Sequence, residues 1–181
     1  MNFKHDFYVQ PMYMVYVEMA AMYLLWTLGM MILRGKVKRI VAAVFAVLAF
    51  GVIISFTVTG RTFGGTDQVS LTPFITFFRA KKQPEYYRTL FMNMALFVPL
   101  GLSLPYALPG KIRHKALLTV AFGFLLSAGV EAYQYFFSAG TCETDDVLMN
   151  TLGAFVGATS FLLHNLIFRL IRRLTYRSKH D

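Results

Sequence analysis

Cysteine is nearly absent from this chain: Cys142 is the only one in 181 residues. An internal disulfide and a cysteine zinc cluster are therefore excluded. Charge is also scarce, at 15% of residues, while 56% are hydrophobic and the mean hydropathy is +0.52. That balance excludes an ordinary soluble domain and points to an integral membrane protein. Acids are the rarer sign, nine against eighteen lysines and arginines. The resulting net charge of +9 does not indicate nucleic-acid binding, which needs basic residues interleaved with aromatics on one wet surface. Here the basic residues form short blocks between apolar runs. A cleavable leader is also missing from the pattern, because Lys4, His5 and Asp6 lead into a run too long for a signal-peptide core and without a small-residue cleavage site. No internal repeat or low-complexity stretch divides the chain, so residues 1–181 read as one membrane domain.

What is present is a set of long apolar runs, at Met12 to Leu33, Ile40 to Thr59, Thr89 to Leu108, Ala116 to Phe137 and Val147 to Phe168. Each approaches or exceeds the roughly 20 residues that cross a ~30 Å hydrocarbon layer. None alternates like a barrel strand, and lipid requires backbone groups to be satisfied within the segment, so the prediction is an all-α bundle of five spans. Twelve of the eighteen basic residues fall in the loop after the first run, the loop after the third and the carboxyl tail, where the only acid is Asp181. The positive-inside rule places these blocks in the cytoplasm, the amino terminus outside and the carboxyl terminus inside. The connection from Gly60 to Arg88 is then extracytoplasmic, and its apolar centre, V-S-L-T-P-F-I-T-F-F, is too short to span. It reads as an interfacial or re-entrant piece, broken by Gly64, Gly65 and Pro73.

The polar residues of the apolar runs gather at the outward end. Glu131 and Gln134 share a helix face at a spacing of three, as do Asp146 and Asn150 at a spacing of four. A turn through Ser138, Gly140 and Thr141 would lay these faces side by side. At 1.5 Å per residue Glu131, Asn93 and Asn150 lie roughly 6 to 9 Å inside their spans, in one layer. Glu18 reaches the same depth, and Arg61, Glu143, Asp145 and Asp146 roof it. An ionisable group in a membrane costs at least ~2.5 kcal/mol, which makes Glu131 the leading candidate for a functional group.

Plainer readings exist for its neighbours. Asn93 and Asn150 can join helices by hydrogen bonds, and Gly153 and Gly157 form a close-packing face. Asp145 and Asp146 suit a helix N-terminus, one of them serving no other purpose. Glu18 can snorkel or pair with Arg61 or Arg88, and His164 and Asn165 read as interfacial residues at the opposite end. Carboxylates around Cys142 should raise its pKa, which removes it as a nucleophile. Glu131, Glu143 and Asp146 are hard oxygen donors of the kind magnesium or calcium takes, but their spacing matches no metal motif, so neither metal nor cofactor is assigned.

Three blocks carry a family resemblance: N-M-A-L-F-V-P-L-G (Asn93 to Gly101), E-A-Y-Q (Glu131 to Gln134) and G-T-C-E-T-D-D-V-L-M-N-T-L-G-A-F-V-G (Gly140 to Gly157). Their order and spacing resemble the VanZ-like family, with Gly60-Arg61 and L-T-P-F (Leu71 to Phe74) resembling its weaker first block, over about residues 40 to 168. Glu143 stands where that pattern has an aspartate, and the arginine often found just before it is missing, which leaves Arg61 or Arg88 for an anionic ligand. The resemblance implies a small multi-pass protein of the cell membrane and envelope, whose name-giving member lowers susceptibility to the glycopeptide teicoplanin. It also implies functional positions at Asn93, Pro99, Glu131, Gln134, Asp146 and Asn150. Pro99 should kink its span and open a wedge below the site.

Together these features predict an outward site that binds or modifies a lipid-linked or cell-wall ligand. Glu131 is its base or ligand carboxylate, Asp146 the charged partner, Asn93, Gln134 and Asn150 the orienting amides, and Glu143 and Arg61 further contacts. Two other classes stay open: a proton- or ion-coupled transporter using Glu131, which the lack of an inverted repeat counts against, and a non-catalytic membrane partner.

Overall fold

The computed structural model describes residues 11–59, 69–83, 85–140 and 142–177. The chain is an all-α bundle with five helices long and apolar enough to cross a membrane. These are α1 (Met12–Ile32), α2 (Gly35–Thr57), α4 (Glu85–Ala107), α5 (Lys115–Phe136) and α6 (Thr144–Arg177). A short helix, α3 (Ile75–Ala80), and two two-residue strands, β1 (Val69–Ser70) and β2 (Cys142–Glu143), complete the described elements.

The helices do not stop where the apolar runs stop. α2 begins at Gly35 and α4 at Glu85, each several residues before its run, and α6 continues through the basic tail to Arg177. Hydropathy marks only the part that suits lipid, whereas helix propagation adds a hydrogen bond per residue until a breaker intervenes. Gly35 is such a breaker, taking φ +58° to reverse the chain within two residues of α1. At 1.5 Å per residue the 34 residues of α6 extend ~51 Å, so its arginine-rich end projects beyond a ~30 Å hydrocarbon layer.

α4 is the central helix. In its most apolar stretch 61% of residues are buried, against 17–28% in the other four, whose outer faces carry the exposed leucines, valines and phenylalanines that lipid covers. α2 lays a stripe of small residues, Ala42, Ala46 and Ala49, followed by Ile53, against the bundle. There Ala49 and Ile53 pack with Phe97 and Leu100 of α4. The α4–α6 seam is tighter still. A Cβ on Gly153 would stand 2.0 Å from the Met94 carbonyl oxygen, and one on Gly157 2.3 Å from that of Val98. These glycines are therefore a backbone-to-backbone contact, the geometry that drives helix association where no water is squeezed out. Hydroxyl groups tie α1 to the same unit: Tyr23 to Thr159 at 2.8 Å and Thr27 to Ser160 at 3.0 Å.

The basic blocks meet at one end. Arg39 Nε donates to Ala107 O at 3.1 Å and Lys115 Nζ to Leu108 O at 2.8 Å, so two cations cover the last carbonyls of α4, where the helix dipole is negative. His164 corrects an expectation: it is not interfacial but buried, 3.3 Å from Lys38 Nζ and edge-on to Tyr106. The apolar pattern around it could not show that α2 would bring a lysine to its face.

Candidate functional site

The opposite end is built on the α5–α6 connection. Ser138 and Gly140 take positive φ, +46° and +154°, and the Ala139 amide donates back to Gln134 O at 2.9 Å, which stops α5. The chain then enters β2, which runs parallel to β1 with Val69 opposite Cys142 and Ser70 opposite Glu143. The Glu143 amide in turn donates to Glu131 Oε2 at 2.9 Å. Glu131 is only 4% exposed, so its carboxylate is a buried acceptor for the connection's main chain.

Asp145 does more than favour its own helix dipole, a choice between the two acids that the sequence reading left open. It is 1% exposed, and its two oxygens accept from the Phe74 amide at 2.5 Å and the Thr76 amide at 2.7 Å. Those donors belong to the L-T-P-F turn and the start of α3. Phe74 sits in the left-handed region at φ +65°, which costs a non-glycine residue roughly 1–2 kcal/mol. No side chain of its own segment caps α3. The carboxylate supplies that cap from across the fold and holds the strained turn against α6. Thr76 adds a contact to Glu143 at 3.4 Å, and Thr144 one to Ser70 O at 3.3 Å. The expected apolar piece in the long connection is thus a docked turn and helix, with Thr76 and Ala80 buried. Gly64 and Gly65 lie outside the described residues.

The amides have separate partners. Asn150, 4% exposed, donates from Nδ2 to Ser127 Oγ at 2.8 Å, one turn before Glu131 on α5. Its Oδ1 is buried without a hydrogen-bond partner among the described residues. Asn93 is half-buried, and its Nδ2 is likewise shielded and without a partner among them. A buried donor and a buried acceptor left open cost about 1–3 kcal/mol each. Both sit at this end of the tight α4–α6 seam, since Gly153, three residues after Asn150, rests on Met94. Gln134 faces elsewhere, donating to Thr57 O at 3.2 Å, one of the otherwise open carbonyls at the end of α2. Arg61 lies outside the described residues, and Arg88 is half-buried near the start of α4.

Glu131, Cys142, Glu143 and Thr144 line a surface cavity of about 550 Å³ with Leu71, Tyr135 and Phe136. Asn93, Gln134, Asp146 and Asn150 do not line it. Asp146 is half-buried, with Oδ1 shielded from solvent. Burial raises the Cys142 thiol pKa above its usual value, and Glu131, Asp146 and Glu143 raise it further, as the acidic surroundings led us to expect. Among the described residues no group of three or more histidine, cysteine or acidic side chains is disposed to hold a metal ion. A second, apolar cavity of about 190 Å³ lies between α1, α2 and α4, where Pro99, Ala95 and Leu96 face Met19, Met22 and Glu18.

Sequence reasoning missed three contributors: Ser127, Thr57 and the clamp role of Asp145. Only the last left a usable signal. The L-T-P-F turn leads into a helix with no capping side chain of its own, and Asp145 is the acceptor that serves it.

A family model described as VanZ/LLP1 matches residues 40–169. No curated protein and no solved structure matches the chain.

Proposed function

This chain belongs to the VanZ/LLP1 family, and from that membership and the acidic-end geometry we propose that it is a cell-envelope protein that binds a lipid-linked or cell-wall ligand. The reading includes an orientation with the acidic end outside, and the outcome of binding is reduced susceptibility to glycopeptides such as teicoplanin. One observation carries it: a buried carboxylate, Glu131, lines a cavity otherwise walled largely by apolar and aromatic side chains. Such a cavity suits a ligand with an apolar portion and a polar or cationic group for the acids. The carboxylate is pre-organised by the Glu143 amide, so it need not be reoriented on binding. Asn93 and Asn150 lie outside this cavity, at the α4–α6 seam, and Gln134 serves the frame. Asp146 and Glu143 add negative charge around the entrance.

The test is Glu131→Gln, which keeps an oxygen for the Glu143 amide but removes the charge. Expected is loss of the susceptibility phenotype with expression and Tm within the wild-type range. A folded, fully active variant would overturn the reading and favour a non-catalytic membrane partner. Orientation has its own test: an impermeant thiol reagent should reach Cys142 in intact cells, and should not reach a cysteine placed at Lys36 in a Cys142→Ser background.

A further inference from the structure

The basic end holds two adjoining cavities that the acidic-end reading leaves unused. One, of about 630 Å³, is walled by Lys115, His114, Asn165 and Arg169 with the 110–112 turn. The other, about 350 Å³, runs along the α5–α6 groove past Val120, Phe155 and Ala158 and is apolar. They share His114, Ala116 and Leu162, so they lie side by side. No acidic side chain lines either.

We propose that this paired cavity is a site for one anionic phospholipid, its phosphate at Lys115, Asn165 and Arg169 and one acyl chain along the Val120–Phe155 groove. The polar part is disposed for it. Lys115 Nζ is anchored by Leu108 O at 2.8 Å and sits 5.8 Å from the Phe161 ring centre, so the cation is held in the wall of the larger cavity. Asn165 and Arg169 are four apart on α6 and share a face. His114, at φ +55°, turns the chain at the rim immediately before α5 begins. A cationic pocket between membrane helices attracts phosphate head groups. The adjoining apolar groove is what distinguishes a lipid from a free anion, because a soluble phosphate would have no use for it.

The full-length protein in neutral detergent would be titrated with phosphatidylglycerol and with phosphatidylcholine of the same chains, bound lipid being counted by native mass spectrometry. Expected is one tightly retained phosphatidylglycerol, weakened about fivefold by Arg169→Gln, from a contribution of about 1 kcal/mol per surface cation. Val120→Trp, which fills the groove, should weaken it at least as much, and Lys36→Gln, exposed at the same end but outside both cavities, should not. Thermal denaturation beside each measurement verifies folding, and Arg169→Gln, at an exposed position, keeps the test open should Val120→Trp fold poorly. Equal retention of the two lipids, equal loss in Lys36→Gln, unchanged binding in both cavity variants, displacement by inorganic phosphate, or a lipid-free dimer covering the groove would each overturn the proposal.

Discussion

The two ends of the bundle satisfy main-chain groups with opposite charges and to different effect. At the basic end, Arg39 and Lys115, 68 and 7 residues away in sequence, donate to carbonyls at the finish of α4. At the acidic end, Glu131 and Asp145 accept from amides of the connections, 12 and up to 71 residues away in sequence. Removing a cation leaves carbonyls at a wet helix end. Removing a carboxylate leaves amide groups without an acceptor and a turn without its clamp. The acids therefore hold connections by their amides, whereas the cations cap carbonyls at the finish of α4.

That asymmetry can be broken in graded steps. Gly157→Val should have the largest effect and should not spare either end, because its Cβ would meet main-chain atoms of α4 at 2.3–2.7 Å that cannot yield. A loss of about 3 kcal/mol or more is expected, read as failure to recover monodisperse protein. Asp145→Ala comes next, at about 3 kcal/mol, since two charge-assisted bonds go and two amides lose their acceptor. Limited proteolysis should then cut within residues 71–80 while the five long helices persist by circular dichroism. Uncut protein with an unchanged Tm would remove the clamp argument. Lys115→Met should cost only about 1 kcal/mol, measured as a Tm shift, because the Leu108 carbonyl lies at a helix end near water. A loss equal to that of Asp145→Ala would erase the contrast between the ends.

The smallest effect is chemical. Because burial and then Glu131, Asp146 and Glu143 raise the Cys142 pKa, its thiolate fraction at pH 7–8 is below that of a free thiol. Alkylation should be correspondingly slow there and accelerate as pH rises past about 9, the unperturbed thiol value. Glu143→Gln or Glu131→Gln removes a negative neighbour, lowers the pKa and should speed the reaction at fixed pH. An unchanged rate in both variants would place those carboxylates away from the thiol.

Amides and acids that looked alike in sequence part company once folded. Gln134 and Asn150 are both polar residues in apolar runs, and only helix placement shows that one finds the end of α2 and the other finds Ser127. Asp145 and Asp146 are adjacent, so they leave α6 about 100° apart; one is buried against Phe74 and Thr76, the other half-exposed beside Cys142.

By itself the sequence determined the class, the five long helices, the close-packing role of Gly153 and Gly157, and the importance of Glu131 as a charge that must be partnered. These follow from hydropathy, helix spacing and desolvation cost, each local or additive along the chain. Only the tertiary structure decided which carboxylate clamps the L-T-P-F turn, that His164 is buried against Lys38, and that Glu131 lines a cavity which the asparagines do not. Those outcomes depend on how helices rotate and seat against one another. A backbone contact such as Gly157 on Val98 fixes that seating through packing, which no pattern along a single helix encodes.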